Sequence, residues 1–309
     1  MKAPRAVVFA YHDVGVRCLK VLLSAKVDVA LVVTVQDDPR ENRWFASVAD
    51  TARDYQLPVV MPEDANGERL VQRVARLDPD FIFSFYYRSM LGASILGSAR
   101  RGALNMHGSL LPKYRGRAPV NWAILQGEAQ TGATLHYMVD RADAGDIVDQ
   151  LAVPILQDDD AREVFGKVTT AAEIVLARSL PGLLDGTAPR RPQPIEPGQY
   201  FGRRRPEDGR IDWSQPAIRV HNLVRAVAPP FPGAFTEVDG RPWQIHRTRL
   251  EPRVITPSDR ARLFGAQGGC YAACRDGGVL RILAAATPDG PVDLEQVSRE
   301  LEEHPAALA

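Results

Sequence analysis

Short apolar runs alternate with helical patterns along the first half of the chain. The apolar runs are AVVFA (6–10), VDVALVVTV (27–35), PVVMP (58–62), DFIFSFYY (80–87) and GALNMH (102–107). The helical patterns between them are VRCLKVLLSA, NRWFASVADTARDY, GERLVQRVARLD and MLGASILGSA. Continuous apolar strands separated by helices are typical of a parallel sheet that is buried on both faces. The pattern therefore predicts an α/β domain with a doubly wound, mostly parallel sheet.

Beyond residue 107 the pattern predicts a helix near PVNWAILQGE, two strands at GATLHYMV and IVDQLAVPI, and a long helix over about 160–184. A connector rich in proline follows, and after it come short strand-like runs divided by Gly and Pro turns. The last twelve residues are acidic and then rich in alanine, which indicates a helix or a frayed tail. We therefore predict a first domain over 1–185, a Pro-rich linker over 186–205 and a smaller β-rich domain over 206–309.

Charge and composition narrow the classes of function. Lys plus Arg and Asp plus Glu both number 38, so the formal net charge is zero, which argues against a dedicated nucleic-acid binder. Three cysteines, Cys18, Cys270 and Cys274, provide no disulfide framework and are interpreted as buried fillers. The chain shows neither a signal peptide nor a run of ~20 apolar residues that could span a membrane. We expect a cytoplasmic protein with no nucleic-acid partner and no membrane span.

The segment NMHGSLLPKYRGRAP (105–119) carries the first candidate chemistry. Asn105 and His107 lie two residues apart at the end of a predicted strand, so their side chains point the same way. The carboxyl ends of strands in open α/β sheets are where ligands bind. Alone, the pair is more typical of a hydrogen-bonded core histidine with a chance Asn neighbour than of a site, and further features are needed to favour a site.

Three further features follow predicted strands. The loop DRADAGD (140–146) holds Asp140, Asp143 and Asp146, and a carboxylate beside an imidazole increases its basicity and orients it. The turn with Lys113, Arg115 and Arg117 suits a phosphate. The segment SFYYRSML (84–91) suits a flat ligand. Each also has an ordinary interpretation, as an acidic turn, a surface loop or core tyrosines. Together they predict a cleft at one edge of the sheet, with an amide donor, an acid/base imidazole, a carboxylate and an anion site.

Several common enzyme classes lack their motifs. No G-x-G-x-x-G follows the first strand, which argues against a nicotinamide dehydrogenase, and the chain has no P-loop, H-E-x-x-H or nucleophile elbow. No Ser or Cys has the context of a covalent nucleophile. Direct acyl transfer to an external nucleophile fits the candidate residues better.

The motifs NMHGSLLPKYRG and TGATLHYMVDRADAGDIV resemble those of the formyltransferase superfamily, over nearly the whole chain. These enzymes move a formyl group from 10-formyltetrahydrofolate to an amine. Within the superfamily, VVFAYHDVG, FSFYYR, KYRGRAPVNW, FGRRRPEDGRIDW and RAVAPPFPGAF are most similar to the enzymes that formylate UDP-4-amino-4-deoxy-L-arabinose for lipid A modification and polymyxin resistance. Those enzymes carry a second, decarboxylating dehydrogenase domain, which this sequence does not contain.

The resemblance implies a formyltransferase catalytic domain followed by an OB-like C-terminal domain. It also implies that Asn105 stabilises the oxyanion, that His107 is the acid/base residue, and that Asp143 increases the basicity of His107. No metal takes part in this scheme. The other implied contacts are Arg117 with the nucleotide sugar, and Ser89, Met90, Leu91, Val139, Asp140, Arg141, Ala142 and Asp143 with 10-formyltetrahydrofolate.

Three alternatives remain open from the sequence. Methionyl-tRNA formyltransferases share the same catalytic residues, but their acceptor is a large polyanion, whereas residues 206–309 hold nearly balanced Arg and Asp plus Glu and no Lys. A dTDP-linked amino-dideoxy sugar is a second acceptor that these residues do not distinguish. A non-catalytic folate- or nucleotide-binding module is the third. The sequence does not indicate the oligomeric state.

Overall fold

The strands and helices of the first 200 residues alternate as the hydrophobic pattern predicts. The structure is a computed structural model that describes residues 3–39, 42–196, 200–255, 257 and 260–309. The strands are β1 (Arg5–Ala10), β2 (Asp28–Val33), β3 (Val59–Val60), β4 (Phe81–Phe85), β5 (Gly102–His107), β6 (Arg115–Gly116), β7 (Gln130–Tyr137) and β8 (Ile147–Pro154). The helices are α1 (His12–Ser24), α2 (Val48–Asp54), α3 (Glu68–Leu77), α4 (Ala93–Leu96), α5 (Pro119–Leu125) and α6 (Ala161–Asp185).

Seven of these strands form one sheet in the order β3-β2-β1-β4-β5-β7-β8. The pairs β2–β3, β1–β2, β1–β4 and β4–β5 are parallel, and the pair β5–β7 is antiparallel. The predicted fold class, a doubly wound and mostly parallel sheet, is therefore confirmed. The remaining strand, β6, has only two residues and pairs in parallel with a short strand β9 (Tyr200–Phe201) outside this sheet.

The central strand β4 shows why the sheet is buried on both faces. Phe81, Phe83 and Phe85 alternate along it, are almost completely buried, and stack with ring centroids 5.7 and 5.6 Å apart. Burying one such side chain contributes about 1.5–3 kcal/mol. Ile82, on the other face, belongs to a second set of buried residues, which also includes Val7, Phe9 and Leu31. This strand therefore contributes apolar side chains to both faces of the sheet.

Two predicted helices are shorter than their patterns suggest. Helix α2 begins only after Ser47, whose side chain accepts a hydrogen bond from the amide of Asp50. Trp44 and Phe45, which the pattern placed inside this helix, pack instead around His12, and the Phe45 ring stacks on the imidazole at a centroid distance of 3.9 Å. Helix α4 has only four residues, because its N-terminal part is a loop that Asn66 holds through Met90 and Gly92.

The C-terminal part is rich in antiparallel strands, which confirms the predicted β-rich architecture. Its elements are the 3-10 helix Pro206–Gly209, α7 (Ala217–Val227), β10 (Ala234–Val238), β11 (Arg241–Val254), β12 (Arg262–Ala266), β13 (Gly269–Ala273), β14 (Gly278–Thr287), β15 (Gly290–Pro291), α8 (Leu294–Glu303) and β16 (Ala306–Ala307). These strands form a sheet in the order β10-β11-β14-β13-β12-β16, with β15 paired to β14. The last residues form the end of a helix and a short strand paired with β12, rather than a helix or a tail alone.

The chain divides into two compact units that are each assembled from separate stretches. The first unit comprises Met1–Pro119, Gln130–Val153 and Gly166–Gly202, and the second comprises Val120–Ala129, Pro154–Phe165 and Arg203–Ala309. Residues 197–199 of the predicted linker lie outside the described residues.

Buried polar side chains join the stretches of the second unit to one another. Arg225 of α7 donates to the backbone carbonyls of Leu156 and Asp159, and the Asn121 amide donates to the Ala226 carbonyl. All three cysteines are buried, as predicted. Among the helices in the described ranges, none is both long enough and apolar enough to cross a membrane.

Candidate active site

Asn105 and His107 lie on β5, and their side chains share one face of the strand, as the two-residue spacing predicts. The antiparallel register of β5 with β7 places His136 directly opposite Asn105. The Asn105 Nδ2 atom lies 3.1 Å from His136 Nε2. A second imidazole therefore joins the predicted pair, and both rings are nearly completely buried.

The Asp143 carboxylate lies at the centre of these three side chains. Its Oδ1 atom is 3.4 Å from Asn105 Nδ2, 3.6 Å from His107 Nδ1 and 3.5 Å from His136 Nε2. Its Oδ2 atom accepts a hydrogen bond of 2.9 Å from the Gly116 backbone amide. The structure thus brings together Asn105, His107 and Asp143, three residues that the sequence places up to 38 positions apart.

The surroundings of Asp143 keep its carboxyl group ionised. Burial alone would raise the pKa, but the interactions with His107 and His136 and the Gly116 amide hold the pKa of Asp143 well below its usual range. The carboxylate therefore carries a negative charge through the neutral and mildly acidic range.

The hydrogen-bond partners of the two imidazoles assign their protons. His107 Nε2 lies 2.8 Å from the Tyr114 carbonyl, and His136 Nδ1 lies 2.8 Å from the Tyr137 carbonyl, so both nitrogens must donate. In neutral His136, Nε2 then accepts from the Asn105 amide, which fixes the orientation of that amide. In His107, Nδ1 remains as the position that gains or loses a proton, facing Asp143. The group can donate a hydrogen bond from Asn105 and exchange a proton at His107.

Asp143 reaches this group by a different route from the one that the sequence indicates. The sequence predicts that each feature follows a strand at the same edge of the sheet. That expectation is wrong for the acidic loop, because β7 runs antiparallel to β5 and ends beside Leu104 and Ala103, at the start of β5. The loop 138–146 then turns back, with the Tyr137 amide bonded to the Asp146 carbonyl, and brings Asp143 to Asn105 and His107.

The other predicted residues lie on two loops of the first unit. Ser89 and Met90 are exposed, and Met90 is 58% exposed, whereas the Leu91 side chain is buried in the core. Val139 is 47% exposed, Asp140 and Arg141 are exposed, and Ala142 is half-buried. The Arg117 side chain is exposed, and its backbone amide donates to the Phe201 carbonyl.

The sequence pattern of a known family matches most of this unit. The formyl transferase pattern matches residues 13–180, more than half of the chain, and the pattern of the formyl transferase C-terminal domain matches residues 204–297. The chain belongs to the formyl transferase family. The resemblance noted in the sequence is thereby confirmed at the level of the family, and the protein is an enzyme that transfers formyl groups.

Solved structures with the same fold include several sugar N-formyltransferases. An N-formyltransferase from Helicobacter canadensis, in complex with folinic acid and dTDP-3-aminofucose, has a TM-score of 0.70 and 19% identity over 91% of this chain and 99% of that one. WlaRD, a sugar 3-N-formyltransferase, has a TM-score of 0.71 and 19% identity over 95% and 99%. A 4-N-formyltransferase from Francisella tularensis has a TM-score of 0.61 and 21% identity over 75% and 91%. At these identities the likeness concerns the fold.

The sequence does not single out three residues that contact the candidate site or hold its loops. His136 sits in the predicted strand GATLHYMV, two residues after Thr134, and only the pairing of β7 with β5 reveals that it faces Asn105. Asn66 bonds to Met90 and Gly92, and Gln193 donates to the carbonyls of Asp143 and Gly145. Asn66 and Gln193 act on backbone groups far away in the chain, so no local sequence signal marks them.

Gly116 is required by the conformation of the loop that holds Asp143. Its φ angle is +99°, and a Cβ atom there would lie 2.3 Å from the Phe201 carbonyl oxygen. We expect Gly116→Ala to lower the free energy of unfolding by about 1–3 kcal/mol, the usual range for such backbone strain. It should also reduce activity, because the Gly116 amide would move away from Asp143.

The matched control for this prediction is Gly166→Ala. Gly166 is exposed in α6, and a Cβ atom there would meet nothing within 4 Å. Ala in a helix interior is more stable than Gly by about 0.5–1 kcal/mol, so this variant should be slightly stabilised. Denaturant unfolding of both variants tests the pair, and equal stabilities would contradict the assignment for Gly116.

The described ranges of the chain contain no group of three or more His, Cys, Asp or Glu side chains arranged to hold a metal ion. Asp143, His107 and His136 are close together, and their contacts are charge interactions between the carboxylate and the two imidazoles.

Proposed function

We propose that this formyl transferase uses 10-formyltetrahydrofolate to formylate the amine of a nucleotide-linked amino sugar. The observation that carries the proposal is that the Asn105 amide and the His107 imidazole both lie beside one oxygen, Oδ1, of the ionised Asp143 carboxylate. When bound, 10-formyltetrahydrofolate supplies an activated formyl group. The residues of the chain then have to bind the formyl oxygen, remove the amine proton and exclude water.

Each of the three side chains has a role in this scheme. The Asn105 amide, held by His136, donates a hydrogen bond to the formyl oxygen as negative charge develops there. His107 takes up and returns a proton at Nδ1, while its Nε2–H remains bonded to the Tyr114 carbonyl. Asp143 stabilises the positive charge that His107 gains, at 3.6 Å.

The two exposed loops of the first unit fit a flat donor such as the pterin ring. Loop 89–91 follows β4, beside the end of β5, and exposes Met90. Loop 139–143 exposes Val139 and ends at Asp143. Met138 and Leu91 pack in the same buried cluster, so the bases of the two loops share one support. We therefore propose that Ser89, Met90, Leu91, Val139, Asp140, Arg141, Ala142 and Asp143 form the donor site.

The acceptor we favour is UDP-4-amino-4-deoxy-L-arabinose. The proposal depends on the motif KYRGRAPVNW and on the nearly balanced charge of residues 206–309, which suits a small acceptor better than a tRNA. Arg117 is proposed to contact the nucleotide. A dTDP-linked amino sugar is the second candidate, since the Helicobacter canadensis structure of the same fold contains dTDP-3-aminofucose.

A competition assay distinguishes the acceptors. The protein is incubated with 10-formyltetrahydrofolate and equal amounts of UDP-4-amino-4-deoxy-L-arabinose, a dTDP-4-amino-dideoxyhexose and unformylated initiator methionyl-tRNA, and products are measured by mass spectrometry. We expect the mass of one formyl group to be added to the arabinose nucleotide. Transfer to the dTDP sugar instead would retain the chemistry and change the acceptor. Transfer to the tRNA, or to none of the three, would contradict the proposal.

A further inference from the structure

Arg115 is a buried arginine within the basic turn of the first unit. Of the three bases in this turn, Lys113 and Arg117 are exposed, whereas Arg115 is only 3% exposed. Arg115 lies in β6, which pairs with Tyr200 and Phe201 of β9. Arginine is rarely buried without a partner for its charge. The burial of Arg115 therefore requires an explanation, whereas the exposure of Lys113 and Arg117 does not.

The guanidinium group of Arg115 lacks the hydrogen bonds that normally accompany burial. Within the described part of the chain, its Nε and Nη1 atoms are buried and have no hydrogen-bond partner. These two atoms carry three of the five N–H donors of an arginine side chain. Buried charged donors are costly unless an acceptor satisfies them. The arrangement is therefore suited to a ligand that brings several acceptor oxygens.

Asp143 does not serve as that acceptor. Its Oδ2 atom is bonded to the Gly116 amide, and its Oδ1 atom faces Asn105, His107 and His136. Burial, and after it the positive charge of Arg141, hold the pKa of Arg115 below its ordinary value, whereas Asp143 and Tyr200 act in the opposite direction. Arg141 is thus the other positive charge that acts on Arg115, and an anion bound between the two side chains would relieve their repulsion.

The backbone on either side of Arg115 belongs to the active site. The Tyr114 carbonyl accepts the His107 Nε2–H bond, and the Gly116 amide donates to Asp143. A ligand group held by Arg115 would therefore lie next to the reacting groups. In a nucleotide sugar, the diphosphate is separated from the amine by a single sugar ring, so these two parts of the acceptor must bind as neighbours.

We propose that Arg115 binds the diphosphate of the acceptor nucleotide, beside the catalytic Asn105, His107 and Asp143. This inference rests on the proposed function, since it assigns a residue to the acceptor named there. A diphosphate complements the positive charges of Arg115 and Arg141 and can accept several hydrogen bonds from one guanidinium group. A carboxylate of the folate donor offers the same hydrogen-bond chemistry from a second source, and the test separates the two.

The test compares Arg115→Gln and Arg115→Lys with the control variant Arg73→Gln. Arg73 is an exposed arginine of α3 and has no place in the site. Titration calorimetry measures the binding of UDP, dTDP, uridine and 5-formyltetrahydrofolate to each protein. We expect Arg115→Gln to weaken UDP and dTDP binding by ~10- to 100-fold, the usual loss for a hydrogen bond to a charged group. Uridine and folate binding, and all binding to Arg73→Gln, should be unchanged.

Arg115→Lys keeps a positive charge but loses the planar set of donors, and it should bind UDP with an affinity between those of the wild type and Arg115→Gln. If Arg115→Gln does not fold, a wild-type affinity for UDP in Arg115→Lys would overturn the proposal, and the intermediate affinity would support it. Weakened folate binding with intact UDP binding would assign Arg115 to the donor carboxylate. Unchanged binding of every probe would make Arg115 a structural residue.

The same measurements keep this inference distinct from the proposed function. Nucleoside diphosphate binding that depends on Arg115, in a wild-type protein that formylates no amino sugar, would refute the acceptor chemistry and retain the phosphate site. Formyl transfer to a nucleotide sugar with the same KM in the wild type and Arg115→Gln would retain the function and refute the role of Arg115.

Discussion

The His107→Gln variant is expected to lose ~100- to 10,000-fold in kcat, the range that general acid–base catalysis contributes. Gln retains an N–H group that can donate to the Tyr114 carbonyl, which lies 2.8 Å from His107 Nε2, so that the loop should stay in place. It has no group that exchanges a proton near neutral pH. The measurement is single-turnover formyl transfer to the amino sugar under saturating donor and acceptor.

The pH dependence of the wild-type rate is a second measurement that tests the role of His107. The acceptor amine attacks only when it is unprotonated, so the wild-type rate should fall as the pH drops below neutral. Asp143 does not contribute to this fall, because its pKa is held well below its usual range and it stays ionised. A flat wild-type profile between about pH 5 and 9 would contradict the roles assigned to the amine and His107. Wild-type turnover in a folded His107→Gln protein would contradict the role of His107 directly.

The Asn105→Ala variant is expected to lose ~100- to 1,000-fold in kcat, the usual cost of removing one hydrogen-bond donor to a developing oxyanion. The ground-state donor should bind with little change, because the hydrogen bond strengthens as charge forms on the formyl oxygen. The matching measurements are kcat for formyl transfer and the dissociation constant of 5-formyltetrahydrofolate.

Asn42→Ala, at an exposed asparagine outside the site, is the control variant and should keep wild-type activity. The double variant of Asn105 and His107 should lose less than the product of the two single losses, since residues that act on one reaction step are not additive. If Asn105→Ala weakened only donor binding and left kcat unchanged, Asn105 would be a binding residue and not a stabiliser of the oxyanion.

Some elements of the fold can be predicted from the sequence pattern, and others cannot. Strand β5 could be predicted closely, because its apolar run and the spacing of Asn105 and His107 are local properties of the chain. The start of helix α2 could not be predicted, because Trp44 and Phe45 fit the apolar pattern of the helix but pack on His12, more than 30 residues away. An apolar side chain shows that a residue is buried, without showing which part of the chain buries it.

The backbone conformations of individual loop residues also cannot be predicted from the sequence. Tyr86, Tyr114 and Asp143 adopt positive φ angles of 57°, 55° and 50°, which such residues rarely do. Tyr114 and Asp143 contact His107 in this conformation. Strained backbone of this kind persists only where the surrounding structure holds it, so it is a property of the assembled site.

By itself, the sequence determined the fold class, the strand that carries Asn105 and His107, and the family to which the chain belongs. These conclusions depend on side-chain periodicity and on motifs of a few residues, which are local. The tertiary structure alone decided that β7 runs antiparallel to β5, that His136 faces Asn105, that the loop after β7 returns Asp143 to His107, and that Arg115 is buried while Arg117 is exposed. Strand direction, register and burial depend on contacts between residues far apart in the chain, and no short pattern records those contacts.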